Sequence, residues 1–405
     1  MAEAPETIPF TYYRGGTSKA LFFHAKDLPQ PGKLRDRLLL RLMGSPDPMQ
    51  IDGMGGTHPV TSKIAVLGPS KRPGVDVDYD FAQCSIRTNH ISWEGGCGNI
   101  SSAVGPWAIS QGLVDARSGT SKDTALGTVK EVRIWMVGLG NMLIAHVPVN
   151  EKGRVIEKGQ QAIDGAPGTG AAIWMDYKET AGGACKKGLL PSGNPVDSVT
   201  VRGKEVEISI CDIANIMVYA RAADLGISGT EPARTLNESK QLIDDVRELR
   251  GRASQMIGLC SSWEKVDEEI PNLPYVVLLV ESKDGDDGDV QGRLFLDNYC
   301  HSSMAGTGAT CTTACAHIKG TLVNQMSRPL QRKLRAFKVG HPVGHLPVIV
   351  QVKSGTGIDA GRLPEFSTLS FVRTARQIAK GELCIPEDFD WAAGRLEING
   401  GLNGH

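Results

Sequence analysis

Little in this sequence commits it to a charged partner. Lys and Arg number 44 against 45 Asp and Glu over 405 residues, a net charge of -1, so neither a polyanion nor a membrane surface is implied. Aromatic residues are scarce at 5%, and no apolar run approaches a membrane span; the longest candidate, Tyr275 to Val280, is far too short. Met1-Ala2-Glu3-Ala4-Pro5-Glu6 holds neither a basic nor an apolar stretch, which speaks against a signal peptide. The nine cysteines lack framework spacing and read as free thiols of a reducing compartment. A soluble, cytoplasmic protein is expected. Glycine, by contrast, is abundant at 48 residues, and with an ordinary apolar fraction this means many turns and strands rather than disorder. A chain this long exceeds one ordinary core, so two domains are expected.

Phe10 to Arg14 and Ala20 to His24 read as strands on either side of Gly15-Gly16-Thr17-Ser18-Lys19. That turn carries N–H and hydroxyl groups suited to a carboxylate; a plain β-turn is the commonplace alternative. Leucines recur at helical spacing from Leu34 to Met43. The glycines of Gly53-Met54-Gly55-Gly56 make a loop that leads to a strand, Lys63 to Leu67. Lys63 thus starts a strand continued by Ile64-Ala65-Val66. An amine against apolar walls loses solvation, its pKa falls, and it can serve as a general base; a solvated strand-edge lysine is the alternative. After an alternating strand, Val75 to Ile86, the stretch Glu94-Gly95-Gly96-Cys97-Gly98-Asn99 opens a helix, Ile100 to Gln111, closed by Gly112. A cysteine at a helix mouth sits where backbone N–H groups and the helix dipole hold an anion and favour a thiolate.

Thr128 to Val137 and Met142 to Pro148 form a hairpin. The loop Asp164 to Gly170 lacks the lysine of a phosphate-binding loop, which excludes that nucleotide site. Gly182 to Pro195 reads as a linker. Beyond it come strands near Val199 to Ile210 and Ile216 to Ala220, a helix from Glu238 to Leu259, and the strand Tyr275 to Val280. Glu281 to Asp289 misses calcium-loop spacing, because Gly288 stands where an oxygen ligand is needed. Cys300, His301, Cys311 and Cys315 lack the knuckle spacing of zinc sites, so no metal is expected. Met304-Ala305-Gly306-Thr307-Gly308-Ala309 leads into a helix, Thr310 to Lys319, closed by Gly320. Aligning Gly98 with Gly308 makes this a degenerate second copy of the cysteine stretch, with Thr307 where Cys97 stands.

Arg14 to Lys19, Asp52-Gly53-Met54-Gly55-Gly56, Thr61-Ser62-Lys63, Cys97-Gly98-Asn99, Leu189 to Asn194, Arg221 to Glu231 and Gly340-His341-Pro342 stand in an order that resembles the PrpF family of methylaconitate isomerases, aconitate delta-isomerases and oxalomesaconate tautomerases. The resemblance spans about the whole chain. It implies an α+β, diaminopimelate-epimerase-like fold of two pseudo-symmetric domains. Each would be a curved, mostly antiparallel sheet around a central helix, with the active site in the interdomain cleft. The expected division is 1–191, 192–375, and a C-terminal segment 376–405 packing back on the first domain.

The resemblance further implies a cofactor-independent isomerase that moves a proton along the allylic system of an unsaturated carboxylic acid through a dienolate. The outcome is a cis–trans change or a 1,3-shift of the double bond. Donors aimed at one carboxylate stabilise the charge as it forms. By resemblance Lys63 is the base and Cys97 a second acid/base or a polar support; Thr17, Ser18, Ser62, Gly98, Asn99, Met304, Thr307, Gly308 and Ala309 would line the substrate. No metal and no cofactor are expected. The partner is a small unsaturated carboxylate, not nucleic acid or membrane, and a homodimer is left open. Ser302 where relatives often have Arg, Ala20 in place of glycine and Ile216 in place of proline depart from the family pattern. Loss of an arginine removes a carboxylate clamp, which points to fewer carboxylates than aconitate or a bulkier apolar arm, in a specialised pathway. An amino- or hydroxy-acid epimerase, or a decarboxylase or dehydratase working through a similar carbanion, are the alternative chemistries.

Overall fold

The structure, a computed structural model, describes residues 6–93, 96–123, 126–271, 273–283, 285, 288–296, 298–330 and 336–392. Glu94 and Gly95 of the cysteine stretch, part of the acidic 281–289 segment and the residues after 392 lie outside these. Two units divide the chain: Met1–Trp174 with Arg373–His405, and Met175–Val372.

In the first unit, β1 (Thr7–Gly15) and β2 (Ser18–His24) form a hairpin. Strand β3 (Lys63–Pro69) runs parallel to β2, and β4 (Val77–Cys84) antiparallel to β3. The short β5 (Ile91–Ser92) pairs with the end of β4. After β6 (Thr120–Asp123), β7 (Gly127–Met136) returns parallel to β4 and turns into β8 (Asn141–Pro148). Helix α1 (Lys33–Met43) lays Leu38, Leu39, Leu42 and Met43 on one face of the sheet, against Leu21, Phe23, Ile64 and Val66. Helix α2 (Gly98–Ser110) takes the other face, and every residue from Ile100 to Ile109 is buried. A helix apolar all round belongs in a core. Gly105 is needed there, since a Cβ would stand 2.7 Å from Val147 of β8. Trp107 donates its indole N–H to the Thr11 hydroxyl of β1 at 3.0 Å.

The second unit repeats this plan. Following β9 (Ile173–Asp176) and β10 (Asp197–Val201), β11 (Lys204–Ile213) and β12 (Asn215–Arg221) form the hairpin. The chain then passes through α3 (Ala233–Glu238), α4 (Lys240–Met256) and α5 (Val266–Glu269) on the outer face before β13 (Tyr275–Val280), parallel to β12. Strands β14 (Val290–Leu296) and β15 (Tyr299–Cys300), helices α6 (Gly306–Ala316) and α7 (Leu322–Met326), and strands β16 (Ala336–His341), β17 (Gly344–Val352) and β18 (Phe366–Arg373) complete it. The parallel steps fall at equivalent places: β2–β3 and β4–β7 in one unit, β12–β13 and β14–β16 in the other. Helix α6 is the counterpart of α2, with Gly308 to Ala316 buried. The last strand, β19 (Ala375–Cys384), runs antiparallel along β1 of the first unit.

The compact units divide at 174/175, whereas the sequence placed the boundary at 191/192. Composition marks turns, but hydrogen bonds assign the segment. Tyr177 donates to Leu369, Gly182 to Asp212, and Asp212 in turn to Leu189. The buried Asp212 carboxylate also accepts from the backbone of Ala184 and Cys185, at 3.0 and 2.8 Å. The expected helix 238–259 breaks at Ser239, whose hydroxyl caps α4. The expected helix from Thr310 begins instead at Gly306. Among the described residues no helix is long and apolar enough to cross a membrane.

Candidate active site

Lys63 is the first residue of β3 and only 8% exposed. Parallel pairing sets it level with Ala20 of β2, two residues beyond the β1–β2 turn. Side chains that pair across a sheet share a face, and on that face Phe22 packs against Trp107 of α2, with ring centroids 6.2 Å apart. Directly across β4 stands Gln83, whose amide oxygen accepts a hydrogen bond from the Lys63 amine. The Phe81 ring lies 5.2 Å from the same nitrogen. The amine is therefore held inside the unit by a neutral partner and a ring.

The N-terminus of α2 rests on the turn beside it. A Cβ on Gly15 would meet the Asn99 carbonyl oxygen at 2.5 Å, and one on Gly16 would meet the Asn99 side-chain oxygen at 2.1 Å. Only a glycine pair lets the helix lie this close, and Gly16 also has φ +52°. Asn99 donates its amide to the Thr17 hydroxyl at 3.1 Å and accepts from Arg373 Nε at 3.0 Å. Arg14 ties the turn down through Gly16 and Thr374. Cys97 is the N-cap, half-buried and free, and its side chain does not cap the helix. The Ser101 N–H closes the first helical bond, to the Cys97 carbonyl at 2.8 Å. The N–H groups of Gly98, Asn99 and Ile100 therefore precede the helical ladder, and with the dipole they form a donor cradle for an anion.

Ser18 and Ser62, expected at the substrate, are 2% and 0% exposed. The Ser62 hydroxyl donates to Gln50 at 2.7 Å and accepts from the Gly56 N–H at 3.3 Å. It shapes the glycine loop that delivers Lys63. Cys84, at the end of β4, is buried, and that burial pushes its thiol up to about 12, so it stays protonated.

In the second unit the N-cap of α6 is Ala305, again without a side-chain cap. The Thr307 hydroxyl accepts from the Asn215 amide at 3.2 Å, and Asn215 starts β12 as Thr17 precedes β2. Asn99 and Thr307 are thus equivalent, and so are Gly98 and Gly306; the spacing to Gly112 and to Gly320 is then the same. The alignment of Gly98 with Gly308 is corrected accordingly, and the counterpart of Cys97 is Ala305, not Thr307. The sequence match was misled by the repeated glycines of Gly306-Thr307-Gly308. The Ala309 N–H already bonds Ala305 within the helix. Met304 is 4% exposed, its sulfur 3.0 Å from where a Gly308 Cβ would be. Both are packing residues under the first turn, while the N–H of Gly306, which sequence reasoning passed over, precedes the ladder. His301 is held by Ser303 at 3.0 Å, and burial lowers its pKa; Ser302 is exposed. Cys311 donates to the Cys211 carbonyl inside the core. Among the described residues no three His, Cys, Asp or Glu side chains are placed to hold a metal ion.

Comparison with known proteins places these features in context. The PrpF family ("PrpF protein") matches residues 6–386. A 3-methylitaconate isomerase from Eubacterium barkeri is 37% identical over 385 residues, covering 92% of this chain and 96% of its own. A crystal structure of methylitaconate-delta-isomerase superposes with a TM-score of 0.80 at 33% identity, covering 99% of this chain and all of the other (100%). A hydroxyproline epimerase from Agrobacterium vitis, 14% identical, has a TM-score of 0.50 over 94% of this chain and 93% of its own. That likeness speaks to the fold alone, and it agrees with the epimerase-like architecture.

Proposed function

Because the chain belongs to the PrpF family, we propose that it is a cofactor-independent isomerase of unsaturated carboxylic acids, with Lys63 as the base. One observation carries the assignment: a buried amine, hydrogen-bonded to Gln83, enters the sheet at the same end where the uncapped N-terminus of α2 meets the Gly15–Ser18 turn. The cradle of Gly98, Asn99 and Ile100, with the Thr17 hydroxyl beside it, receives one carboxylate. The proton on the allylic carbon is acidified only as charge spreads into that carboxylate. Fixed donors stabilise the dienolate without reorganising, and removing one such donor in an enzyme costs about 3–4 kcal/mol of barrier. Lys63 takes the proton and returns it at the far end of the allylic system for a 1,3-shift, or after rotation for a cis–trans change. Cys97, at the mouth of α2, polarises the substrate or serves as a second acid.

The methylitaconate isomerases among the relatives act, by their names, on an unsaturated acid, and this supports an unsaturated carboxylate as substrate. Fewer carboxylates than aconitate fits Ser302 in place of arginine. An epimerase with paired thiols is less well supported, because Ala305 occupies the position equivalent to Cys97. Cytoplasmic location and a homodimeric assembly belong to the same proposal. The test is incubation with methylitaconate and with cis-aconitate in deuterium oxide, followed by NMR. Isomerisation with deuterium incorporation is expected for the wild type, none for Lys63→Ala, and reduced but measurable turnover for Cys97→Ser. Loss of carbon dioxide or of water in place of isomerisation, or full activity in Lys63→Ala, refutes the assignment.

A further inference from the structure

The geometry points to Gln83 as the positioning residue of Lys63, a neutral clamp that aims the amine while leaving it free to change protonation state. This rests on the reading of Lys63 as the base.

The Gln83 amide cannot be turned round. Its nitrogen donates to three backbone carbonyls, those of Pro59 and Ser62 at 3.1 Å each and of Cys84 at 3.3 Å. Flipping the amide would set an oxygen against three oxygens, so its own oxygen is obliged to face Lys63. An amine donates to that oxygen whether charged or neutral. When Lys63 is neutral, its lone pair must therefore point away from Gln83, because an oxygen cannot donate. Pinned from one side and bordered by the Phe81 ring, the amine has its basic direction chosen for it. The Gln83 carbonyl end is also neutral, so proton release breaks no ion pair. A glutamate at the same place would hold the ammonium form by a charge-assisted bond.

The neighbours of Lys63 come first from the strands on either side of it. From β2 it meets Ala20, and β4 supplies Phe81 and Gln83. Cys84, on the opposite face of β4, interacts with it electrostatically and also with Asp36 of α1. Helix α2, whose N-cap is Cys97, lies on the same face of the sheet.

The experiment uses the full-length protein with Gln83→Glu, Gln83→Leu and Lys63→Ala. Isomerisation of methylitaconate is followed from pH 6 to 10, and the pH dependence of Lys63 acylation by acetic anhydride is read by peptide mass spectrometry. Thermal melts confirm that each variant is folded. In Gln83→Glu, the midpoint of the rising limb of activity and the midpoint of Lys63 labelling move up together by about one to three pH units, with the rate regained at high pH. In Gln83→Leu, kcat falls by about 10–100-fold, the cost of a misaimed catalytic group, with KM within about threefold. Unmoved midpoints in Gln83→Glu, or a wild-type kcat in Gln83→Leu, overturn the inference while an inactive Lys63→Ala leaves the isomerase reading standing. Conversely, an active Lys63→Ala sinks that reading, and the labelling arm still decides whether Gln83 governs the amine.

Discussion

Replacing Gly15 with alanine tests whether the seat of α2 on the β1–β2 turn sets the rate. Gly15 does not adopt a positive φ, so the change adds volume without backbone strain. The new methyl group would stand 2.5 Å from the Asn99 carbonyl oxygen and 3.0 Å from the Ile100 Cα, where ordinary contact begins at 3.4 Å. Both neighbours are backbone, so no rotamer change relieves the clash, and the turn and the helix must part by about 1 Å. Overpacking of this kind costs about 1–3 kcal/mol, or a melting temperature lowered by roughly 3–10 °C for a unit of this size. The effect on turnover is larger than the effect on stability. A displacement of about 1 Å between base and donor cradle costs on the order of 100-fold in rate. Gly381→Ala is the control: it lies in the same unit, and its methyl group would meet only the Phe10 ring edge at 3.4 Å. Initial rates at 25 °C and melting curves should show Gly15→Ala slowed about 100-fold and Gly381→Ala unchanged. A kcat for Gly15→Ala within threefold of wild type would refute the argument that the helix mouth and the turn form one rigid donor site.

Arg373→Met removes the donor that fixes which end of the Asn99 amide faces Thr17. The expected result is KM raised about tenfold or more, the scale of a charge-assisted hydrogen bond, with kcat changed less; an unchanged KM would show that Asn99 needs no such anchor. The second unit should lose stability in mild acid. Burial lowers the pKa of His317, whose Nδ1 shares a hydrogen with the Thr313 carbonyl at 2.8 Å, and that bond offsets only part of the effect. The unfolded chain, with an imidazole near pKa 6.5, then binds the proton first, so stability is complete above that pH and falls as pH drops below it. Urea midpoints between pH 7.5 and 5.5 should show this slope, and His317→Asn should reduce it; an equal slope in the variant would assign the effect elsewhere.

Much of this was legible because local chemistry and global position agree. Lys63 announces itself as a charged residue heading an apolar strand, and Cys97 as a thiol between glycines before an all-apolar helix. Gln83 carries no such mark. A glutamine in an alternating strand looks like a solvent-facing position, and only the register that sets it opposite Lys63 reveals its use. Ser62, which the resemblance set at the substrate, is buried, and its hydroxyl bonds Gln50 and Gly56 within the loop. The repeat was found through its glycines and misregistered through them too, since Thr307 is matched to Asn99 by a contact to Asn215 that lies far off in sequence. The unit boundary was hidden for the same reason. Turn-rich composition between 182 and 195 says where the chain bends, not which sheet the Asp212 carboxylate ties it to.

The pairing of β19 with β1 has a consequence for how the molecule is made. Thr7–Gly15 leaves the ribosome before the strand that covers its outer edge, Ala375–Cys384. Until then β1 exposes a row of unpaired backbone groups, the kind of edge that recruits foreign strands. The segment 175–372 is contiguous and can close as soon as it emerges. A released chain cut off after residue 374 would therefore hold a complete second unit and a first unit still open along one side.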